Sequence, residues 1–537
     1  MTSELTTMDV QALAKRLKDP IWRLKNLYKI KPAKPGPMIP FVPTAEQQEI
    51  IDAIHVLGLT NLLILKARQL GMSTAIDLIM ADLQIWTAGF QGSIVDEDQK
   101  AASLKLKHKV QAAFESMPKR IKAMFKVERS NDSEFAVYLK TRTAEDQIST
   151  VFAGKNARGG TNHLLHVSEW GPIQHNDPPR SEEIMTGALP SAKEGIVVIE
   201  TTWMGGKGGH LWNLTDAAMT TRPEDMTAED FTLFFFPWYN DPVYQTLGNF
   251  DQIPADVLKY FHDVEADLAR KGTPYTFTPA QKLWYFKVAM KKGNQRYAEF
   301  PTTLEECFKA PIAGAIYAAL IDQARAEGRI VDFPWSRNHP VFTIWDLGSP
   351  RNTRTGYLQF VGPTSILFID HDTGLDMGPT ERVAHMKAKG YRFGGHLLPH
   401  DGATDGYNGK NFKEHLEDAG LTDISIVPRC PNRWPGINRF AELLPRITFH
   451  KTRCEKLVES LAAYHTRADK TKQGHETDEP VHDWSSHDAD MARQLAEGID
   501  CGILKDGPQQ AMKRGKVISP IDGLGDRIRG HVLSPFD

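Results

Sequence analysis

The chain has 537 residues, 41% of them hydrophobic and 24% charged, and a formal net charge of −3. That length exceeds one ordinary core and implies two large domains or three smaller ones, while the near-neutral charge excludes a globally basic nucleic-acid binder and leaves any such surface to local stripes. Cys307, Cys430, Cys454 and Cys501 form no C-x-x-C pair and no zinc-type spacing, so neither a disulfide scaffold nor a zinc module is expected. No apolar run approaches the roughly 20 residues of a membrane crossing, and the polar start MTSELTTMDVQALAKRL reads as a helix rather than a signal peptide; a soluble intracellular protein is expected.

Residues 1–35 carry an amphipathic helical pattern that ends in the Lys- and Pro-rich KIKPAKPGPMIP, an arm or linker. In FVPTAEQQEIIDAIHVL, Thr44 is a plausible N-cap with Gln47 three residues on, which predicts a helix starting there. Gln47 and Gln48 then sit just upstream of NLLILKARQLGMST, residues 61–74, read as a buried strand, a short loop and a helix start. A phosphate cradle has this order: backbone N–H groups and a helix N-terminus hold phosphate oxygens, a lysine adds charge and a hydroxyl reaches Mg²⁺. Gly71, Ser73 and Thr74 occupy the expected places, Met72 stands where the lysine belongs, and Lys66 or Arg68 is left to supply the cation.

A helix over AIDLIMADLQIWTA and a strand at GSIVDED continue a βαβ array. The basic helical stretch that follows offers Lys100, Lys105, Lys107, Lys109, Lys119, Arg120, Lys122 and Lys126 either to a phosphate backbone or to solvent. After two further strands, Leu164–Val167 ends at Ser168 and Glu169. In ATPases built on such a phosphate cradle the corresponding strand ends in Asp-Glu, the aspartate directed to Mg²⁺ and the glutamate to the attacking water; by that comparison Ser168 replaces the aspartate and Glu169 keeps the place of the catalytic base. Arg158, before a glycine pair, is suited to meet a phosphate; the strand GIVVIETT ends in Thr201 and Thr202, hydroxyls suited to sensing hydrolysis.

Residues 237–335, with aromatics scattered among Lys-rich helical stretches, read as a helical linker or lid. From HPVFTIWDLG onwards three antiparallel strands are expected, the first ending at Asp346; LPHDGA brings Asp401 to another strand end, and HDWSSHDADMARQL puts Asp488 and Asp490 at a helix start. Acids arriving from separate strand ends suit two hard cations, Mg²⁺ or Mn²⁺. Residues 336–502 would form this domain, and 503–537, rich in Gly, Pro and basic residues, a flexible docking tail.

The ordered set KARQLGMST, ARGGTNHLLHVSEW, IETTWMG, FPTTLEECF, WDLG, LPHDG and SSHDADMAR resembles the large terminase subunit of tailed bacteriophages over about residues 40–500. The resemblance implies an α/β chain with a P-loop ATPase domain of the ASCE class over 36–236, with a parallel-rich sheet, followed by the lid and an RNase H-like nuclease domain. It implies ATP binding by Arg68, Gly71, Ser73 and Thr74, with Lys66 at the front of the loop as in members that shift the lysine there, and adenine reading by Gln47. Glu169 would be the catalytic base, Arg158 an arginine finger acting in trans, and Thr201 and Thr202 the coupling hydroxyls. Asp346, Asp401 and Asp490 would carry the nuclease metals, with Asp488 as the substitute. Double-stranded DNA, a portal and procapsid, a small terminase subunit and a ring of identical subunits are the implied partners, in the host cytoplasm. Two other readings stay open: an integrase- or transposase-like strand transferase with a regulatory ATPase domain, and a non-catalytic scaffold, which the departures at Met72 and Ser168 would suit.

Overall fold

A computed structural model describes residues 10–32, 34–141, 147–154, 157, 160–362, 364–404, 409–468 and 476–504. The chain divides into two units, Met1–Pro311 and Ile312–Asp537.

The first unit is built on an eight-stranded sheet. Its strands are β1 (Asn61–Lys66), β2 (Gln91–Val95), β3 (Phe125–Ser130), β4 (Glu134–Leu139), β5 (Ser149–Gly154), β6 (Leu164–Ser168), β7 (Ile196–Thr201) and β8 (Thr232–Phe236), in the order β8-β1-β7-β6-β2-β5-β4-β3. The strands from β8 to β5 run parallel, and β4 and β3 close the edge antiparallel. The middle of β1, Leu62 to Leu65, is apolar and buried, as central parallel strands covered on both faces are. Insertion of β7 between the loop strand β1 and the acid strand β6 is the strand order of the ASCE class, so β1, β6 and β7 end side by side.

Helix α1 (Ala45–His55) starts with the Thr44–Gln47 capping box expected from sequence. Helix α2 (Met72–Trp86) follows β1, and α3 (Gln99–Lys105) follows β2 and continues as a π-helical turn over Leu106–Gln111. The aromatic-rich stretch folds back on itself. The buried Trp238 stacks with Trp284 at 4.8 Å and with Tyr285 at 5.5 Å, where α4 (Ala255–Arg270) and α5 (Pro279–Lys292) meet the end of β8. These rings extend the main apolar core of the first unit, which they share with β1 and α2. The part of 237–335 up to Pro311 belongs to the first unit and the remainder to the second.

The second unit contains β9 (Ile330–Val331), β10 (Val341–Asp346), β11 (Arg354–Val361), β12 (Ser365–Asp372), β13 (Phe393–Leu398), β14 (Ile424–Ile426) and β15 (Ile447–His450), in the order β9-β15-β12-β11-β10-β13-β14. β10, β11 and β12 are the three antiparallel strands expected on either side of the turns GSPRNTR and VGPTS. β13 and β14 then extend the sheet parallel to β10, which is the RNase H-like arrangement. Helix α6 (Ser486–Asp500) packs against β10, with Ala489, Met491, Ala492, Leu495 and Ala496 buried in the core.

Candidate active sites

In the first unit the loop between β1 and α2 is held from several sides. The Ala67 and Arg68 N–H groups donate to the carbonyls of Phe236 and Glu299, the Tyr244 hydroxyl donates to the Arg68 carbonyl, and Gln47 Nε2 donates to the Gly71 carbonyl at 2.8 Å. The other end of the Gln47 amide accepts from the Thr44 N–H, so the Gln47 side chain serves the capping box and the loop. Gly71 has φ +70°, and a Cβ there would lie 2.8 Å from Gln47 Nε2, which explains the glycine. No side chain caps the N-terminus of α2, which leaves a helix end suited to an anion.

The Lys66 side chain is only 6% exposed and points into the site, 3.1 Å from Glu200 Oε2 and 3.4 Å from Glu169 Oε1. Burial opposes its charge, but the two carboxylates outweigh burial and raise its pKa. The Arg68 side chain, by contrast, is 60% exposed, with Glu299 at 3.8 Å. Met72 is buried in the core. Glu169 has φ +58° and Gln69 φ +61°; two of the three described non-glycine residues with positive φ thus flank this site, the kind of backbone strain that collects where function demands it. Glu169 Oε2 accepts from the Thr202 N–H at 3.4 Å and from the Thr202 hydroxyl at 3.3 Å. The Thr201 hydroxyl accepts from the Gly171 N–H at 2.9 Å. Arg158 lies outside the described residues.

The centre of the site is Glu200, a residue the sequence reading passed over. It is fully buried on β7, and its Oε1 accepts from Ser73 Oγ at 2.5 Å and from Ser168 Oγ at 2.8 Å. Burial disfavours its charge, yet Lys66, His166 and Lys105 together hold its carboxyl well below the usual range. Lys105 and Lys109, two of the lysines considered for DNA contact, turn inward instead. Lys105 donates to Ser168 Oγ and pairs with Asp96 at 2.8 Å, and Lys109 pairs with Asp77 at 3.3 Å. They are four residues apart, Lys105 at the end of α3 and Lys109 in the π-helical turn that continues it, a distortion of the sort found at functional sites. Asp77 also meets His166 Nδ1 at 2.8 Å, and His166 Nε2 lies 3.6 Å from Glu200. The available signal was an acid inside an otherwise apolar strand, which is costly to bury unless it is paired or binds a metal.

In the second unit Asp346 ends β10 and Asp490 lies on the face of α6 turned toward it. Burial, and then the neighbouring Asp490 charge, push the Asp346 carboxyl up, and His487 partly offsets them from 3.1 Å. Asp490 also meets Arg493 at 3.2 Å and Arg433 at 3.8 Å. Asp401 follows the end of β13, the parallel neighbour of β10; its side chain is 61% exposed and meets His400 at 2.7 Å. Asp488 points elsewhere. Its oxygens take His371 Nε2 at 2.7 Å and Ser460 Oγ at 2.6 Å, with Arg354 at 3.4 Å, and its pKa is lowered because these partners outweigh burial. Among the described residues no group of three or more His, Cys, Asp or Glu side chains has metal-holding geometry.

No family model and no curated protein matches the chain. Among solved structures it is similar to the large terminase of bacteriophage HK97, with 12% identity, 90% of this chain and 99% of that one covered, and a TM-score of 0.45. It is also similar to the large terminase ATPase domain of Thermus phage P74-26, with 16% identity, 49% and 94% covered, and a TM-score of 0.32. A third similarity is to the P22 large terminase nuclease domain, with 18% identity, 35% and 94% covered, and a TM-score of 0.27.

Proposed function

We propose that this chain is the ATPase and nuclease subunit of a viral DNA-packaging motor, of the phage large-terminase kind. Carrying the reading is the convergence of Lys66, Ser73, Glu169 and Thr202 at the adjoining ends of β1, β6 and β7, beside an uncapped helix N-terminus. ATP bound there, with Mg²⁺, would supply the phosphoryl group whose transfer to water drives DNA into a procapsid. Lys66 and the N–H groups that open α2 neutralise phosphate charge, with Arg68 at the solvent edge; Gly71 shapes the loop, and Ser73 and Thr74 present hydroxyls. Glu169 orients and polarises the attacking water, while Thr202, hydrogen-bonded to it, and Thr201 report its state to β7. Arg158, from a neighbouring subunit in a ring, completes the site. Gln47 supports the loop and reads the base.

In the second unit Asp346 and Asp490, with Asp401 at the adjoining strand end, hold Mg²⁺ or Mn²⁺ for cleavage of concatemeric double-stranded DNA, and Asp488 braces α6 through His371. A procapsid portal and a small terminase subunit are the partners, in the host cytoplasm; among the described residues no helix is long and apolar enough to cross a membrane. Glu169→Gln should abolish ATP hydrolysis and leave metal-dependent plasmid cleavage intact, and Asp346→Asn should do the reverse. Loss of both activities in both variants would sink the assignment of one reaction to each unit.

A further inference from the structure

Two protein oxygens face the cation in a strand–loop–helix phosphate site: the hydroxyl that opens the helix and a carboxylate at the end of the acid strand. The hydroxyl is present here as Ser73, whereas the acid strand ends in Ser168. We propose that Glu200 supplies the missing carboxylate and, with Ser73, holds the divalent cation of the bound nucleotide.

The inference rests on the nucleotide-site reading above and on strand register. Ser168 on β6 is paired with Glu200 on β7, so the carboxylate has moved sideways by one strand, about 4.8 Å, toward β1 and its loop. The glutamate side chain spans that step. A single oxygen, Oε1, lies within hydrogen-bond distance of Ser73 Oγ and of Ser168 Oγ, touching at once the hydroxyl that such loops offer to a cation and the hydroxyl at the vacated acid position. Ser73 uses its proton toward Glu200 in this state; a hydroxyl also carries lone pairs, so rotation of the O–H presents Ser73 Oγ as a ligand.

Charge balance points the same way. An ionised carboxylate with no exposed surface needs a counter-charge, and the one nearest Oε2 is Lys66, the lysine expected at the phosphates. Lys66 cannot fully serve both. With Lys105 and His166 remaining near Oε1, a divalent ion beside Ser73 takes over the share of the charge balance that Lys66 holds and frees Lys66 for the nucleotide. Glu169 is not needed for this task, since it is partly exposed and turned to Thr202.

The test is binding of a fluorescent ATP analogue to the full chain, in Mg²⁺ and in EDTA, with Mn²⁺ electron paramagnetic resonance reporting the bound metal. For wild type, tighter binding in Mg²⁺ is expected. Glu200→Gln should bring the Mg²⁺-to-EDTA affinity ratio close to one, and Ser168→Asp in the Glu200→Gln background should restore the ratio. If Glu200→Gln does not fold, Glu200→Asp decides: a weakened Mg²⁺ dependence supports the inference and an unchanged one overturns it. A wild-type ratio in Glu200→Gln overturns the role of Glu200 and leaves the nucleotide site standing. Absence of nucleotide binding by the wild type in either condition overturns both.

Discussion

Replacing Lys66 by Ala removes a cation whose side chain is 6% exposed and leaves Glu200, fully buried, without its closest counter-charge. At the 3.1 Å separation, two unit charges in an effective dielectric of about 20 attract by roughly 5 kcal/mol. The second partner, Glu169, is 28% exposed and adds little after solvent screening. Lys105 at 3.9 Å and His166 at 3.6 Å remain and recover part of the loss. A net destabilisation of about 3 kcal/mol follows, at the lower end of the range for breaking a buried ion pair. Urea unfolding of the full chain measures it, and the informative comparison is the double variant. Lys66→Ala with Glu200→Gln removes the stranded charge along with its partner and should recover about 2 kcal/mol of the loss. A Lys66→Ala variant within about 0.5 kcal/mol of wild type, or a double variant no more stable than the single one, would refute the coupling described here.

Gly171 lies where a Cβ would come within 2.5 Å of the Thr202 carbonyl, so Gly171→Ala should cost about 1–3 kcal/mol and slow ATP hydrolysis by shifting Thr202 off Glu169; unchanged melting and turnover would contradict this. Asp346→Asn should raise the melting temperature in metal-free buffer, because it removes a buried charge facing Asp490, and Mn²⁺ should stabilise wild type but not the variant; calorimetry checks both. His396, hydrogen-bonded to Thr343 at 2.7 Å, is lowered by burial to about 4. A histidine depressed in the folded state stabilises fully above its unfolded value near 6.5, and that stability is lost as pH falls from 6.5 through 4, a span worth about 3 kcal/mol. His396→Gln should flatten that limb of the pH–stability curve, and an unchanged curve would count against it. Arg158→Ala should reduce ATP turnover of assembled motors by about 10³-fold or more, with full activity removing the arginine-finger assignment.

The loop of the first unit was legible because it needs three local signals in a row: an apolar run, a glycine and two hydroxyls. The second sheet was legible for a similar reason, since the turn-forming GSPRNTR and VGPTS separate β10, β11 and β12 and an acid marks the end of β10. Glu200 escaped because the signal that identifies it lies across the sheet. Its partner Ser168 is 32 residues away in sequence and adjacent only through the register of β6 and β7. Lys105 was hidden in a basic run whose composition does not tell which face meets the protein; only the packing of α3 turns it inward. Asp488 and Asp490 posed the complementary difficulty, because two residues apart on a helix are about 200° apart in direction, and only the placement of α6 against β10 separates the one facing Asp346 from the one facing His371.

The most direct test of the motor reading is ATP turnover by the full chain with double-stranded DNA and procapsids present, measured together with the amount of DNA that becomes protected from added nuclease. Turnover that depends on both, with DNA protected in wild type and neither signal in Glu169→Gln, is the expected result. No turnover above background in the complete mixture, with DNA and procapsid still bound, would mark the chain as a non-catalytic scaffold and contradict the motor reading.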